Sequence, residues 1–197
     1  MNKRGNETRG LILNNSYALF AKKGFKEVTM KDICDCTGLS RGGLYRHYDS
    51  TKQIFAEILE VLLKNQEDEF SEKINQNESA VSILESVLER YQMEMLDSGN
   101  SLSIAIYEFY SLPQSGAAPN ALLHQYLLSK EMWSRFIQYG IDRKEFRKVD
   151  ITAVFDMIVF SYQGVRMYSR LMPIDRDIPH RITEQVKLLL LPSVNAS

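Results

Sequence analysis

The sequence predicts an all-α protein: a three-helix amino-terminal head followed by a larger helical body, about nine helices in all. Apolar residues recur at spacings of three and four through nearly every stretch, the period of a helix with one buried face. No run alternates apolar and polar residues as a half-buried strand would. Helix punctuation is dense: Ser or Thr followed three residues later by an acid or amide, and glycine just past apolar runs. With 197 residues and 44% apolar content, the chain has material for a substantial core.

The chain begins with a basic segment holding Lys3, Arg4 and Arg9, expected to be a mobile arm near DNA or simply a free end. A first helix is expected from about Thr8 to Lys23, with Ile12, Ser16, Leu19 and Phe20 inward and Gly24 as its stop. Phe25 and Val28 would seal the base of the head. Thr29 stands three residues before Asp32, a capping box opening a second helix whose inner side is Met30, Ile33, Cys34 and Thr37. Gly38 reaches positive φ without a Cβ clash, and Ser40 can cap a short third helix. In that helix Leu44 and Tyr48 lie one turn apart and face inward. Arg41, Tyr45, Arg46 and His47 are left outward. Two short helices joined by a glycine turn, the second presenting Arg, Tyr and His, fit a helix-turn-helix that reads DNA.

The order Gly24-Phe25, Thr29-x-x-Asp32-Ile33, Gly38-Leu39-Ser40-Arg41-Gly42, Leu44-Tyr45-Arg46-His47-Tyr48 resembles the amino-terminal domain of the tetracycline-repressor (TetR) family of transcription regulators. The motif covers about the first quarter of the chain, and its positions carry different physical jobs that agree at once. An ordinary helical hairpin with a solvated polar face is the alternative. The resemblance implies a DNA-binding domain over residues 1–50 and a helical ligand-binding and dimerisation domain over 51–197. DNA contacts are expected from Thr29, Ser40, Arg41, Gly42, Gly43, Tyr45, Arg46, His47 and Lys52. Where the family has Lys directly after the Ser or Asn, this chain has Thr51 and then Lys52, which alters the geometry of that phosphate contact.

Ser50 and Gln53 are spaced to start the next helix, which continues through Ile54, Phe55, Ile58, Leu59, Leu62 and Leu63. Ser79 to Leu96 is amphipathic through Val81, Leu84, Val87, Leu88, Tyr91 and Met95. Leu102 to Leu112 is a shorter aromatic helix before the loop from Gln114 to Pro119. Asn120 to Tyr139 follows, with Leu123, Leu127, Trp133 and Phe136 expected inward and Gly140 opening a connection. Ile151 to about Leu171 carries two apolar stripes. One is Ile151, Phe155, Ile158, Tyr162 and Val165; the other is Val154, Met157, Ser161, Gly164 and Tyr168, small at its middle. Pro173 to Pro179 reads as a loop, and Ile182 to Leu191 as the last helix.

In the family the last two helices pair with their copies in a second subunit. The resemblance therefore implies a homodimer, with Ile158, Val165, Ile182, Val186 and Leu189 as interface residues, unless both stripes are internal core. It also implies an effector pocket in the body, for which Tyr91, Met95, Tyr107, Tyr110, Trp133, Phe155 and Tyr162 are candidates, suited to a small, mostly apolar ligand. The expected function is a repressor that leaves a palindromic operator on the double helix when an unknown small-molecule effector binds. The alternatives are a DNA-binding protein of this kind with no such ligand, or an activator.

Charge supports an anion-binding head. Residues 1–52 carry ten Lys or Arg against five Asp or Glu, whereas 53–197 carry fourteen against twenty. Cys34 and Cys36, two apart on one helix, point about 200° apart and share neither a disulfide nor a metal. His47, His124 and His180 are scattered, so no metal and no cofactor is expected. Without a nucleophile beside a base, a glycine-rich phosphate loop or a metal motif, no enzyme is expected. Asp156 interrupts the longest apolar stretch and Leu188 to Leu191 is too short to span a membrane. The polar start from Asn2 to Thr8 has no secretory core, so the expected location is cytoplasmic.

Overall fold

A computed structural model of the chain describes residues 3–66, 68–97, 99, 101–112 and 121–192. Among these the regular structure is helical: α1 (Lys3–Lys23), α2 (Met30–Thr37), α3 (Arg41–Tyr45), α4 (Thr51–Lys64), α5 (Ser71–Asn75), α6 (Ala80–Leu96), α7 (Ser103–Tyr110), α8 (Ala121–Asp142), α9 (Ile151–Leu171) and α10 (Ile178–Leu190). The all-α expectation holds. None of these helices is long and apolar enough to cross a membrane.

The chain divides into two compact units. The first joins residues 1–66 to 99–122, so that α7 belongs with α1 to α4. Its core is aromatic: the Phe20 ring stands 4.8 Å from Phe55, and Phe25 lies 5.3 Å from Phe55 and 5.2 Å from Phe109. Ile12, Ile33, Leu44, Tyr48 and Ile54 close around these rings. The stripe Ile12, Ser16, Leu19, Phe20 is inward as expected, with Ile12, Ser16 and Phe20 fully buried. Arg9, however, is no arm. α1 begins at Lys3, and Arg9 sits within it, ion-paired to Glu57 of α4 with its guanidinium 4.8 Å over the Tyr48 ring.

The second unit joins residues 67–98 to 123–197. Phe70 and Phe136 stack at 4.4 Å, Trp133 meets Phe70 edge-on at 5.0 Å, and Phe155, Ile83, Leu84 and Ile137 complete the centre. Hydrogen bonds tie the helices across it: Gln92 of α6 donates to Thr183 of α10 at 2.7 Å, and Tyr126 of α8 donates to Asp156 of α9 at 2.6 Å.

Four expectations about the body change. A short helix, α5, precedes α6. α8 continues through Gly140 to Asp142; the glycine there serves close packing and not a helix stop, since a Cβ on it would collide with the Phe146 ring. α10 starts at Ile178, four residues early, since Pro179 falls in the first turn, where its missing N–H is not needed. Leu123 and Leu127 are exposed; Leu127 lies about 120° round the helix from buried Trp133, on the side that also carries the exposed Glu131 and Gln138, whereas half-buried Tyr126 shares the Trp133 side. The expected loop from Gln114 to Pro119 and helix start at Asn120 lie outside the described residues.

Candidate nucleic-acid interface

The head is assembled by its caps. The Thr29 hydroxyl accepts the Asp32 N–H at 3.1 Å, and the Asp32 carboxylate accepts the Thr29 N–H at 2.8 Å, closing the box that starts α2. Lys23 at the end of α1 donates to Asp32 at 2.7 Å. Together with the Thr29 bonds it holds the Asp32 carboxyl well below the usual carboxylate range. Gly38 takes φ +70° and returns its N–H to the Cys34 carbonyl at 2.9 Å, ending α2. Two residues on, the Ser40 hydroxyl accepts the Gly43 N–H at 3.1 Å and starts α3.

This geometry sorts the reading helix. Leu44 and Tyr48 are buried in the core of the first unit, and burial pushes the Tyr48 phenol up to about 12. Arg41, Gly42, Tyr45 and Arg46 are exposed, with Tyr45 at 41% and the Arg41 guanidinium 5.9 Å over its ring. A Cβ at Gly42 would meet nothing within 4 Å, so this side of α3 is uncovered. His47 is half-buried, and Arg46 is the carboxy-terminal cap of α3. At the start of α4 the Ser50 hydroxyl accepts the Gln53 N–H at 3.3 Å. Gln53 reaches past Ser50 to accept the Asp49 N–H at 2.8 Å, one residue earlier than a strict capping box. Lys52 is half-buried in that first turn. The structure thus gathers Thr29, Ser40, Arg41, Gly42, Gly43, Tyr45, Arg46, His47 and Lys52 in one unit, with Thr29 and Ser40 used as caps.

Cys34 is half-buried and Cys36 exposed, its Sγ 3.4 Å from the Ile33 carbonyl; partial desolvation of that sulfur, with the nearby Asp32 and Asp35 carboxylates, raises its thiol pKa. No group of acids, histidines and cysteines fit for a metal occurs among the described residues.

The seven pocket candidates divide between the units. Tyr107 and Tyr110 belong to the first; Tyr91, Met95, Trp133, Phe155 and Tyr162 belong to the second. Within the second, Tyr91 lies 4.6 Å from Tyr162 and 6.1 Å from Trp133, ring to ring. Tyr91 donates to Glu69 at 3.2 Å, and Tyr162 donates to Glu94 at 2.6 Å beside Arg166. Burial, then the neighbouring carboxylates, push both phenols up. Met95, Trp133 and Phe155 are buried, while Tyr107 is exposed.

Of the interface candidates, Ile158, Val165 and Val186 are buried within the second unit, Val165 with an edge on an open groove, and Ile182 and Leu189 are half-buried. The apolar surface that α9 leaves uncovered is Met157 and Tyr168 (56%) of the second stripe, together with Phe160 (65%) and Leu171, which lie in neither stripe; Val154 of that stripe is buried, and on α10 Leu188 is exposed at 62%. An open apolar groove of about 340 Å³ runs beside it, lined by Ser161, Gly164, Val165, Tyr168, Met172 and Ile178 among others. A Cβ at Gly164 would meet nothing within 4 Å.

Sequence reasoning missed Glu108 and the true place of Arg9. Glu108 carries the lone charge of α7, a visible anomaly in an aromatic helix; nothing local pairs Arg9 with Glu57.

A sequence profile described as "Bacterial regulatory proteins, tetR family" matches residues 12–58. The HTH-type transcriptional regulator YfiR of Bacillus subtilis, itself uncharacterised, is 31% identical over 142 residues, 70% of this chain and 67% of its own length. The HTH-type transcriptional repressor KstR2 of Rhodococcus jostii is 30% identical over 106 residues, 54% of this chain and 50% of its own. A TetR transcriptional regulator from Chloroflexus aurantiacus is similar in fold, with a TM-score of 0.77 at 20% identity over 97% of this chain and 100% of that one.

Proposed function

The chain belongs to the tetR family of bacterial regulatory proteins and is a DNA-binding regulator of transcription, not an enzyme; from that premise we propose a homodimeric repressor that leaves a palindromic operator when a small, mostly apolar effector binds. The carrying observation is the helix-turn-helix geometry: two capped helices about a left-handed Gly38, with Arg41, Tyr45 and Arg46 exposed on the second.

Cationic residues of the head displace counterions from phosphates, a favourable term with little sequence information. Arg41 and Arg46 have the donor geometry for guanine acceptors or phosphate oxygens, while Tyr45 and His47 suit backbone contacts. Lys52 and the α4 amino terminus offer further phosphate donors. The caps at Thr29 and Ser40 hold α2 and α3 in register.

The uncovered face of α9 and α10 supports the dimer. Large apolar groups with a glycine at their centre suit close approach of a second copy about a two-fold axis. Two heads so related would read half-sites about one helical turn apart. Release follows if the effector prefers a conformation in which the heads are misaligned; a tenfold loss of operator affinity needs about 1.4 kcal/mol of coupling.

Selection of bound sequences from random duplex DNA by the purified protein tests this reading. Enrichment of a two-fold symmetric site is expected, and enrichment of none contradicts it. A second reading, a regulator without any effector, is favoured by the tight packing of Trp133 and Phe155 in the core. It predicts that no compound which binds the body changes operator affinity.

A further inference from the structure

The Oε2 atom of Glu108 accepts the N–H of Phe25 at 2.6 Å and of Lys26 at 2.9 Å, donors 83 and 82 residues away in the chain. These amides form the turn between α1 and α2. Gly24, the first residue of that turn, takes φ +83°, and a Cβ on it would stand 2.7 Å from the same carboxylate oxygen. The glycine therefore does two jobs: it turns the chain and leaves room for the acid. The next residue of α7, Phe109, sets its ring 5.2 Å from Phe25 and 5.1 Å from Phe55. Consecutive residues of one helix thus grip the turn, one by charge-assisted hydrogen bonds and one by ring packing. The Lys23–Asp32 bond joins α1 to α2 without α7, so the grip is a separate constraint.

We propose that Glu108 is a positioning residue for DNA binding: it clamps the α1–α2 turn and so fixes where Thr29 starts α2 and how α3 is presented. A turn free to move has to be ordered on the operator, and that ordering opposes binding. Glu108 needs no contact with DNA to act this way. The inference rests on the DNA-binding reading, so operator binding by the unmodified protein is measured first; its failure sinks that reading and says nothing against the clamp.

In Glu108→Ala the amides of Phe25 and Lys26 are expected to lose roughly tenfold to a hundredfold of their hydrogen-exchange protection, while the Ile54 amide in α4 keeps its own. Operator affinity is expected to fall about tenfold, with the salt slope unchanged because no phosphate contact is removed. Glu108→Gln, which keeps an acceptor of the same reach, restores most of both. Gly24→Ala weakens binding in the parent and costs less in the Glu108→Ala background, where only the strained φ remains. Unchanged protection in Glu108→Ala overturns the clamp. Lost protection with unchanged affinity overturns its role in positioning, and loss spread to Ile54 makes Glu108 a general stability residue instead.

Discussion

Arg9 of α1 and Glu57 of α4 form an ion pair that bridges the first unit, and the same guanidinium covers the ring of Tyr48 at 4.8 Å. Tyr48 closes the helix-turn-helix, so one basic side chain joins three parts of the head. Arg9→Ala is expected to cost about 1–2 kcal/mol of stability by urea unfolding, the range for a half-exposed pair plus a cation–π contact. Operator affinity falls with no change in salt slope. The double exchange Arg9→Glu with Glu57→Arg recovers part of the loss; a slope reduced by about one in Arg9→Ala would make Arg9 a phosphate contact instead.

Arg41 and Arg46 are exposed on the same short helix, yet a base contact and a phosphate contact leave different signatures. Alanine at an arginine that reads a base costs about 1–3 kcal/mol per half-site and relaxes discrimination at one position. Alanine at a phosphate contact weakens all duplexes alike and lowers the salt slope by about one. Titrations of both variants against the selected site and single-base variants of it assign the two roles.

The proposed dimer surface is tested at Phe160 and Leu188, both exposed. Phe160→Asp and Leu188→Asp are expected to give folded monomers by sedimentation, with operator affinity reduced at least tenfold. Ile158→Asp and Val186→Asp place a charge in the core of the second unit and are expected to unfold it, at a cost of several kcal/mol. Folded dimers from both Phe160→Asp and Leu188→Asp would reject this face.

Glu145 contributes to stability against acid. Burial alone would raise its pKa, but bonds from Arg143, the Ser79 hydroxyl at 2.7 Å and the Val81 N–H at 3.2 Å hold it down to about 2. The unfolded chain takes up the proton first as pH falls. The stabilisation is therefore full above pH 4.5 and lost progressively towards pH 2. Glu145→Gln is expected to cost about 1–2 kcal/mol at pH 7, given the partial exposure of the site, and to behave like the parent near pH 2. Equal urea midpoints for parent and variant at pH 7 would refute this.

The head was legible because its signals are local. Thr29 with Asp32, Gly38, and Ser40 with Gly43 each act within four residues, and each falls where its spacing put it. Helix ends were less legible: Pro179 reads as a breaker, although the first turn of a helix accepts it. Side-chain partners across the chain were not legible at all. Glu108 and Phe25 meet only because α7 folds back onto the head. The period of α9 shows two stripes, but which residues they bury depends on the rest of the second unit: Val154 is buried while Met157 and Tyr168 of the same stripe are exposed, and Phe160, in neither stripe, is the most exposed apolar residue of the helix.

Specific recognition of DNA by the exposed face of α3 is the claim on which the rest stands, and the ratio of two affinities tests it most directly. The purified protein is titrated with its selected duplex and with a scrambled duplex of equal length and composition, at the same salt concentration. Binding to the selected duplex is predicted to be tighter by about a thousandfold or more, with most of that ratio lost in the Arg41→Ala and Arg46→Ala double variant. Equal affinity for both duplexes would contradict the account.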